Sequence, residues 1–163
     1  MQVAADLPSG RLVFFFSDVE GSTRLLTDLG DRFPPLLGEH QRLVRASLAD
    51  HGGIEISTEG DSFFAVFRSP VDAVAAAADS QRGLAAHAWP RGHEFRVRIG
   101  LHVGQAIVAG DDYVGIDVNR AARIAAAGNG GQVVLSDETA DAVAGRLPVG
   151  LALLDLGRHR LRD

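Results

Sequence analysis

Cysteine and lysine are both absent from this sequence of 163 residues. Without cysteine, the chain has no disulfide framework and no thiolate ligand for a metal. Because all 16 basic residues are arginine, a Walker lysine, a kinase lysine and a Schiff-base lysine are excluded. The N-terminus also lacks the basic stretch and apolar run of a signal peptide. We therefore expect a cytoplasmic location and no membrane segment.

An excess of positive charge is missing as well. The formal net charge is −5 and the pI is about 5.6, which argues against nucleic acid or an anionic membrane surface as the main partner. Small polyanions that bind together with metal stay possible. A hydrophobic content of 46% in this length is enough for one domain with a core, so we expect residues 1–163 to form a single domain.

The N-terminal third predicts a buried strand followed by two helices. Leu12–Ser17 is apolar on both faces, as in a central strand. Gly21–Thr23 then leads into a helical pattern with its leucines on one side, and a second helix is expected over Asp31–Asp50. The leucines of the first helix are Leu25, Leu26 and Leu29.

A β-hairpin follows. Ile54–Ser57 and Ser62–Phe67 are strand-like and flank the turn segment Thr58–Asp61. Asp61 is expected at the tip.

The remainder alternates helices and strands. Ser69 is expected to cap a helix that runs to about His87, and Gly104 is expected to break a strand into two hairpin partners. The further expected elements are strands Phe95–Val103 and Gln105–Ala109, helix Ile116–Ala127, strand Gln132–Leu135, helix Ser136–Ala144 and strand Leu151–Leu156.

This order predicts an α+β fold, a ferredoxin-like antiparallel sheet with helices packed largely on one face. In that topology the first strand lies antiparallel beside the strand that leaves the hairpin. Asp18 and Asp61, at the ends of these strands, become neighbours that can share a pair of divalent ions. The alternative is two solvated turn aspartates. The helix that opens at Gly21–Thr23 favours the metal site, because its free N–H groups suit a phosphate.

Five segments together resemble the catalytic domain of class III nucleotidyl cyclases, over about Leu12 to Leu156. The resemblance implies a homodimer with two sites at the interface and two divalent metal ions, Mg²⁺ or Mn²⁺. It also implies the reaction, in which the ribose 3′-hydroxyl of a nucleoside triphosphate attacks the α-phosphorus, releasing pyrophosphate and a 3′,5′-cyclic nucleotide. The segments are Phe16–Thr23, Thr58–Phe64, Arg98–Gly104, Asp112–Arg123 and Gly130–Ser136.

The resemblance assigns roles to individual residues. Asp18 and Asp61 fall on the family's metal ligands, with the carbonyl of Val19 as a third contact, and Gly21, Ser22 and Thr23 face the triphosphate. Asn119 falls on the ribose-orienting amide and Arg123 on the transition-state arginine. From spacing alone, a solvated helix face would be the preferred interpretation of Arg123.

The base-recognition residues depart from the adenylyl cyclase pattern. Asp112 falls on the acceptor for the adenine amine, which disfavours guanine. Ser57 stands where the pattern has a lysine, and a serine hydroxyl is shorter and uncharged. We therefore expect a weak or loosely base-selective cyclase that prefers ATP, with GTP as a possible substrate.

Two further expectations concern the C-terminus and a rival function. Arg158 and Arg160 are candidate triphosphate contacts, with exposed tail charges as the alternative. The resemblance also suggests a domain cut from a longer protein.

The rival function is a degenerate cyclase-like domain that binds nucleotide or dimerises as a sensor. His102 is expected to be a packed or surface histidine and no zinc ligand.

Overall fold

The computed structural model describes residues 6–162. Within them, strands and helices alternate much as the sequence predicts. The strands are β1 Gly10–Val19, β2 Ile54–Glu59, β3 Ser62–Phe67, β4 Val97–Ala109, β5 Asp112–Val114 and β6 Val133–Leu135. The α-helices are α1 Ser22–Leu29, α2 Phe33–Asp50, α3 Pro70–Ala86, α4 Ile116–Ala127 and α5 Asp137–Val143, with a 3₁₀ turn at Gly30–Arg32.

The strands form one mainly antiparallel sheet in the order β2-β3-β1-β4-β5, and β6 pairs with β4 in parallel. The strand leaving the hairpin, β3, lies antiparallel beside β1, as expected. The fold is therefore the predicted α+β sandwich. None of the helices within residues 6–162 combines the length and apolar character that crossing a bilayer requires.

The two faces of the sheet are covered unequally. The larger core lies between one face and helices α1, α2, α3 and α5, and it contains Phe15, Val44 and Val143. Helix α4 packs on the opposite face, where Ala121 joins a smaller cluster around Phe14. The expectation that helices lie largely on one face is right for four of the five described helices.

The expected break at Gly104 is wrong. β4 continues through it without interruption, and its hairpin partner is β5 instead of residues 105–109. A Cβ atom at Gly104 would lie 2.5 Å from Cβ of Asp117. The glycine therefore allows α4 to approach the sheet and does not end the strand.

Two smaller expectations are also wrong. Leu151–Leu156 forms no strand, and Leu154 in it is 81% exposed, because too few of its side chains reach the core to hold it against a sheet. Leu26 is half exposed, since only Leu25 and Leu29, one turn apart, face the core from α1.

Candidate active site

The ends of β1 and β3 bring the two candidate metal-binding aspartates to one edge of the sheet. Ser17 lies opposite Phe63 in the antiparallel register, so Asp18, the next residue of β1, lies beside the turn that carries Asp61 just before β3. The backbone N–H of Val19 donates a 2.8 Å hydrogen bond to Oδ2 of Asp61. The two acids, 43 positions apart in the chain, are thus joined through one backbone amide.

The hairpin tip that carries Asp61 is held from α2. Gly60 has a positive φ of 57°, a conformation that glycine adopts without steric cost. Its carbonyl oxygen accepts a 2.7 Å hydrogen bond from Nε2 of Gln41. This contact fixes the tip relative to the helical layer.

Asp18 is bound by an arginine from the strand on its other side. Arg98 lies directly opposite Asp18 in the β1–β4 register. Its Nε donates to Oδ1 at 2.7 Å and its Nη2 to Oδ2 at 2.6 Å. This bidentate contact orients the carboxylate in one plane.

The donor chemistry at this edge fits a small hard cation. Asp18, Asp61 and the carbonyl of Val19 supply only oxygen, which Mg²⁺ and Mn²⁺ prefer. Within residues 6–162 no group of three or more histidine, cysteine or acidic side chains is arranged to hold a metal. Two carboxylates still suffice for Mg²⁺ when substrate phosphates supply further ligands.

The N-terminus of α1 follows directly after this edge. Gly21 occupies its N-cap position with φ 67°, and no side chain caps the helix. The first amides at Ser22 and Thr23 therefore lack a side-chain acceptor, and such amides bind anionic groups well.

Helix α4 presents one polar face to solvent. Asn119 and Arg123 are both exposed and one turn apart, with the 83% exposed Ile116 nearby at the helix start. Within residues 6–162 no hydrogen bond joins the Asn119 side chain to Asp18 or Asp61.

The opposite side of α4 is fixed to β4 through Asp117. Its Oδ2 accepts a 2.8 Å hydrogen bond from the Gln105 amide, and its Oδ1 lies 3.3 Å from Nε2 of the buried His102. The Gln105 hydrogen bond is the main reason why the pKa of Asp117 is lowered. Nδ1 of His102 lies 2.8 Å from Oγ of Ser136. His102 is thus a packed histidine, as the sequence predicts.

The two candidate base-recognition residues border one aromatic cluster. Ser57 is exposed and lies opposite Phe64 just after a bulge in β2. The Phe64 ring packs against Tyr113 with a centroid distance of 6.2 Å. Asp112 precedes Tyr113, and its Oδ1 accepts a 2.7 Å hydrogen bond from the Tyr113 amide.

The proposed triphosphate contacts Arg158 and Arg160 lie near the end of the described residues. Both are exposed in a segment without helix or strand. Neither forms an ion pair with another residue in the described part of the chain.

The sequence interpretation missed the partner of Asp18. Arg98 lies in the motif Arg98–Gly104, but the motif by itself gives it no role. The signal in the sequence is a charged residue between two apolar ones, Val97 and Ile99, in a strand that is buried on its other face. Only the register of β1 against β4 shows that this charge meets Asp18.

Comparison with known proteins gives consistent matches. The family model described as the adenylate and guanylate cyclase catalytic domain matches residues 7–149. An uncharacterized protein of Mycobacterium tuberculosis is 40% identical over 157 residues, which cover 95% of this chain and 53% of that protein. An adenylate cyclase of Mycosarcoma maydis is 32% identical, with 86% of this chain and 7% of that protein covered.

Solved structures show the same fold. An adenylate cyclase from Trypanosoma brucei, described as monomeric, superposes with a TM-score of 0.86 at 26% identity, covering 99% of this chain and 88% of that one. An adenylate/guanylate cyclase/hydrolase from Silicibacter pomeroyi gives a TM-score of 0.80 at 26% identity, covering 96% and 92%. The chain spans about half the length of the mycobacterial relatives it matches.

Proposed function

The chain belongs to the adenylate and guanylate cyclase catalytic domain family, and we propose that it converts ATP to 3′,5′-cyclic AMP and pyrophosphate. In this reaction the ribose 3′-hydroxyl loses its proton to solvent water and its oxygen forms a bond to the α-phosphorus. The bond from that phosphorus to the oxygen that bridges to the β-phosphorus breaks, and pyrophosphate leaves with that oxygen. The hydrogen bond between the Val19 amide and Asp61 carries the proposal, because it ties both acid-bearing strand ends into one site.

Asp18, Asp61 and the Val19 carbonyl would hold two divalent ions, Mg²⁺ or Mn²⁺. When bound, such ions lower the pKa of the attacking hydroxyl and offset charge on the leaving pyrophosphate. The amides at the start of α1, at Gly21, Ser22 and Thr23, would bind the triphosphate.

Helix α4 would complete the site from a second copy of the chain. Arg123 is suited to contact phosphoryl oxygens as charge develops on them, and Asn119 to orient the ribose. Both face outward on the same side of α4, where a partner can meet them. The exposed apolar side chains Ile107, Val114 and Ile116, on the β4–β5 hairpin and the α4 start, are suited to bury against that partner.

A complementation experiment tests this shared site. Purified Asp18→Asn and Arg123→Ala chains are each expected to be inactive with ATP and Mn²⁺. A mixture recovers about a quarter of the wild-type activity, because half of the dimers are mixed and each has one intact site. The matched control mixes Asp18→Asn with Asp61→Asn, which should recover nothing. If the first mixture also stays inactive while the wild type is active, the shared site is wrong.

Base selectivity is the second part of the proposal. Asp112 repels the O6 atom of guanine and accepts from the adenine amine, so ATP is preferred over GTP. Ser57 offers the base one uncharged hydroxyl, which forms a weaker hydrogen bond than a charged side chain would. The selectivity between ATP and GTP is therefore loose.

Ser57 also favours a rival function, a degenerate domain that binds nucleotide or dimerises as a sensor. Incubation of the wild-type chain with ATP or GTP and Mn²⁺ separates the two. Absence of cyclic nucleotide at high enzyme concentration, with nucleotide binding intact, would support the rival function. Any product that Asp61→Asn abolishes would establish the cyclase.

A further inference from the structure

Arg98 holds both oxygens of a proposed metal ligand. The guanidinium pairs with Asp18 through two short hydrogen bonds, and the two side chains are 27% and 32% exposed. Partial burial strengthens such a pair relative to one in open solvent. The contact is therefore more than a surface ion pair.

Other charges face the same guanidinium. Asp18 is the main cause of the raised pKa of Arg98, with Glu20 and Asp61 as further acidic neighbours. Nη1 of Arg98 also lies 3.5 Å from the carbonyl oxygen of Ala126, in the last turn of α4. One side chain thus contacts the acidic edge of the sheet and the end of the helix that carries Arg123.

A divalent cation that binds Asp18 competes with Arg98 for the carboxylate. A carboxylate offers about four lone-pair positions, of which the guanidinium uses two. A cation can use the remaining positions, but it then shares one anion with a neighbouring positive charge. The positive charges of the cation and of the guanidinium repel each other, and this repulsion lowers the affinity of the site for the cation.

We propose that Arg98 competes with the divalent cation for Asp18 and so sets the cation affinity of the site. This inference rests on the proposed metal-binding role of Asp18. Cation binding weakens the Arg98–Asp18 pair. An arginine that only oriented Asp18 for the metal would have the opposite effect on affinity.

Direct measurement of Mn²⁺ binding tests the sign of the effect. Free Mn²⁺ is followed by electron paramagnetic resonance during titration of the full chain without nucleotide. Arg98→Gln removes the charge and is expected to bind Mn²⁺ about tenfold more tightly than the wild type. Arg98→Lys keeps the charge without the bidentate geometry, so its affinity should lie between the two and gives a second variant if Arg98→Gln fails to fold.

Two controls separate the possible outcomes. Arg42→Gln removes an exposed positive charge that pairs with Glu39, so it should leave the Mn²⁺ affinity unchanged. Asp18→Asn should lose Mn²⁺ binding. If Asp18→Asn binds like the wild type, the proposed metal role of Asp18 fails. If Asp18→Asn loses binding but Arg98→Gln binds equally or more weakly than the wild type, only the competition is overturned.

Thermal unfolding gives an independent readout. Without Mn²⁺, Arg98→Gln should have a lower Tm than the wild type, because Asp18 loses its partner. Saturating Mn²⁺ should raise the Tm of Arg98→Gln by more than that of the wild type, since tighter binding stabilises the folded state more. Equal shifts would contradict the competition.

Discussion

Nε2 of His102 lies 3.3 Å from Oδ1 of Asp117, so a histidine in the centre of the sheet contacts the first turn of the helix that carries the candidate catalytic residues. His102 is 2% exposed and also contacts Ser136 through Nδ1. Ser136 in turn caps α5. One imidazole therefore connects β4, α4 and the start of α5.

Replacement of His102 by leucine is expected to destabilise the fold. The change removes the contacts of the imidazole with Oδ1 of Asp117 and Oγ of Ser136, at a cost of roughly 1–3 kcal/mol in the free energy of unfolding. Urea denaturation measures the loss. His93→Leu is the matched control, because His93 lies 3.6 Å from Asp28 in a more exposed position and should change the free energy much less. Equal effects would show that the His102 contacts add no stability.

Gly100 is expected to tolerate no side chain. A Cβ atom there would lie 2.4 Å from the backbone nitrogen of Ala125 in α4, and a backbone atom cannot rotate away. Gly100→Ala should therefore lower the free energy of unfolding by roughly 1–3 kcal/mol. Gly38→Ala is the control, since Gly38 lies within α2 with open space around it, and it should stabilise the protein by roughly 0.5–1 kcal/mol. Comparable losses in both variants would contradict the steric explanation.

His40 predicts a loss of stability at mildly acidic pH. It is fully buried between Phe63 and Phe95, and burial lowers its pKa from 6.5 to about 4. As the pH falls below 6.5 the unfolded chain takes up this proton first, so stability is lost between pH 6.5 and 4. From pH 7 to pH 5 the loss is about 2 kcal/mol.

Urea denaturation of wild type and His40→Leu at both pH values checks this origin. The variant should lose about 2 kcal/mol less than the wild type over the same interval, because it has no imidazole to protonate. If both proteins lost the same free energy of unfolding between pH 7 and pH 5, His40 would not be the cause of the loss.

Ser57→Lys is expected to raise kcat/KM for ATP. A lysine at this exposed position of β2 can donate a charge-assisted hydrogen bond to the base, worth about 1.5–3 kcal/mol, or one to two decades in kcat/KM. Ser57→Met adds similar length without charge and should give no such gain. A fall with Ser57→Lys, or an equal rise with both, would mean that the base is recognised by other groups.

Most of the fold could be predicted because strand and helix patterns are local. The limits of α4 and the cap at Ser69 follow from periodicity and capping residues. The role of Gly104 could not be predicted, because a glycine that breaks a strand and one that admits a helix have the same local sequence. Only the position of Asp117 on the other face distinguishes them.

For the candidate site, too, one part could be predicted from the sequence and another part could not. The meeting of Asp18 and Asp61 follows from strand order, which the hairpin pattern indicates. The pairing of Asp18 with Arg98 depends on the register between β1 and β4, strands separated by about 80 residues of chain. The alternation within β4 decides which face Arg98 takes, but it does not decide which residue of β1 lies opposite. The position of Arg158 could not be predicted from the sequence either, because its segment has no hydrophobic periodicity that would relate it to the core.

Strand β4 places its functional positions at every second residue. Arg98, Gly100, His102 and Gly104 alternate with Val97, Ile99, Leu101 and Val103, which are buried in the larger core. A shift of β4 by a single residue would turn the first set toward the core and the second toward α4. The burial of four aliphatic side chains on one side thus enforces, on the other side, the alignment of an ion pair, a hydrogen-bond network and two close contacts between glycines and α4.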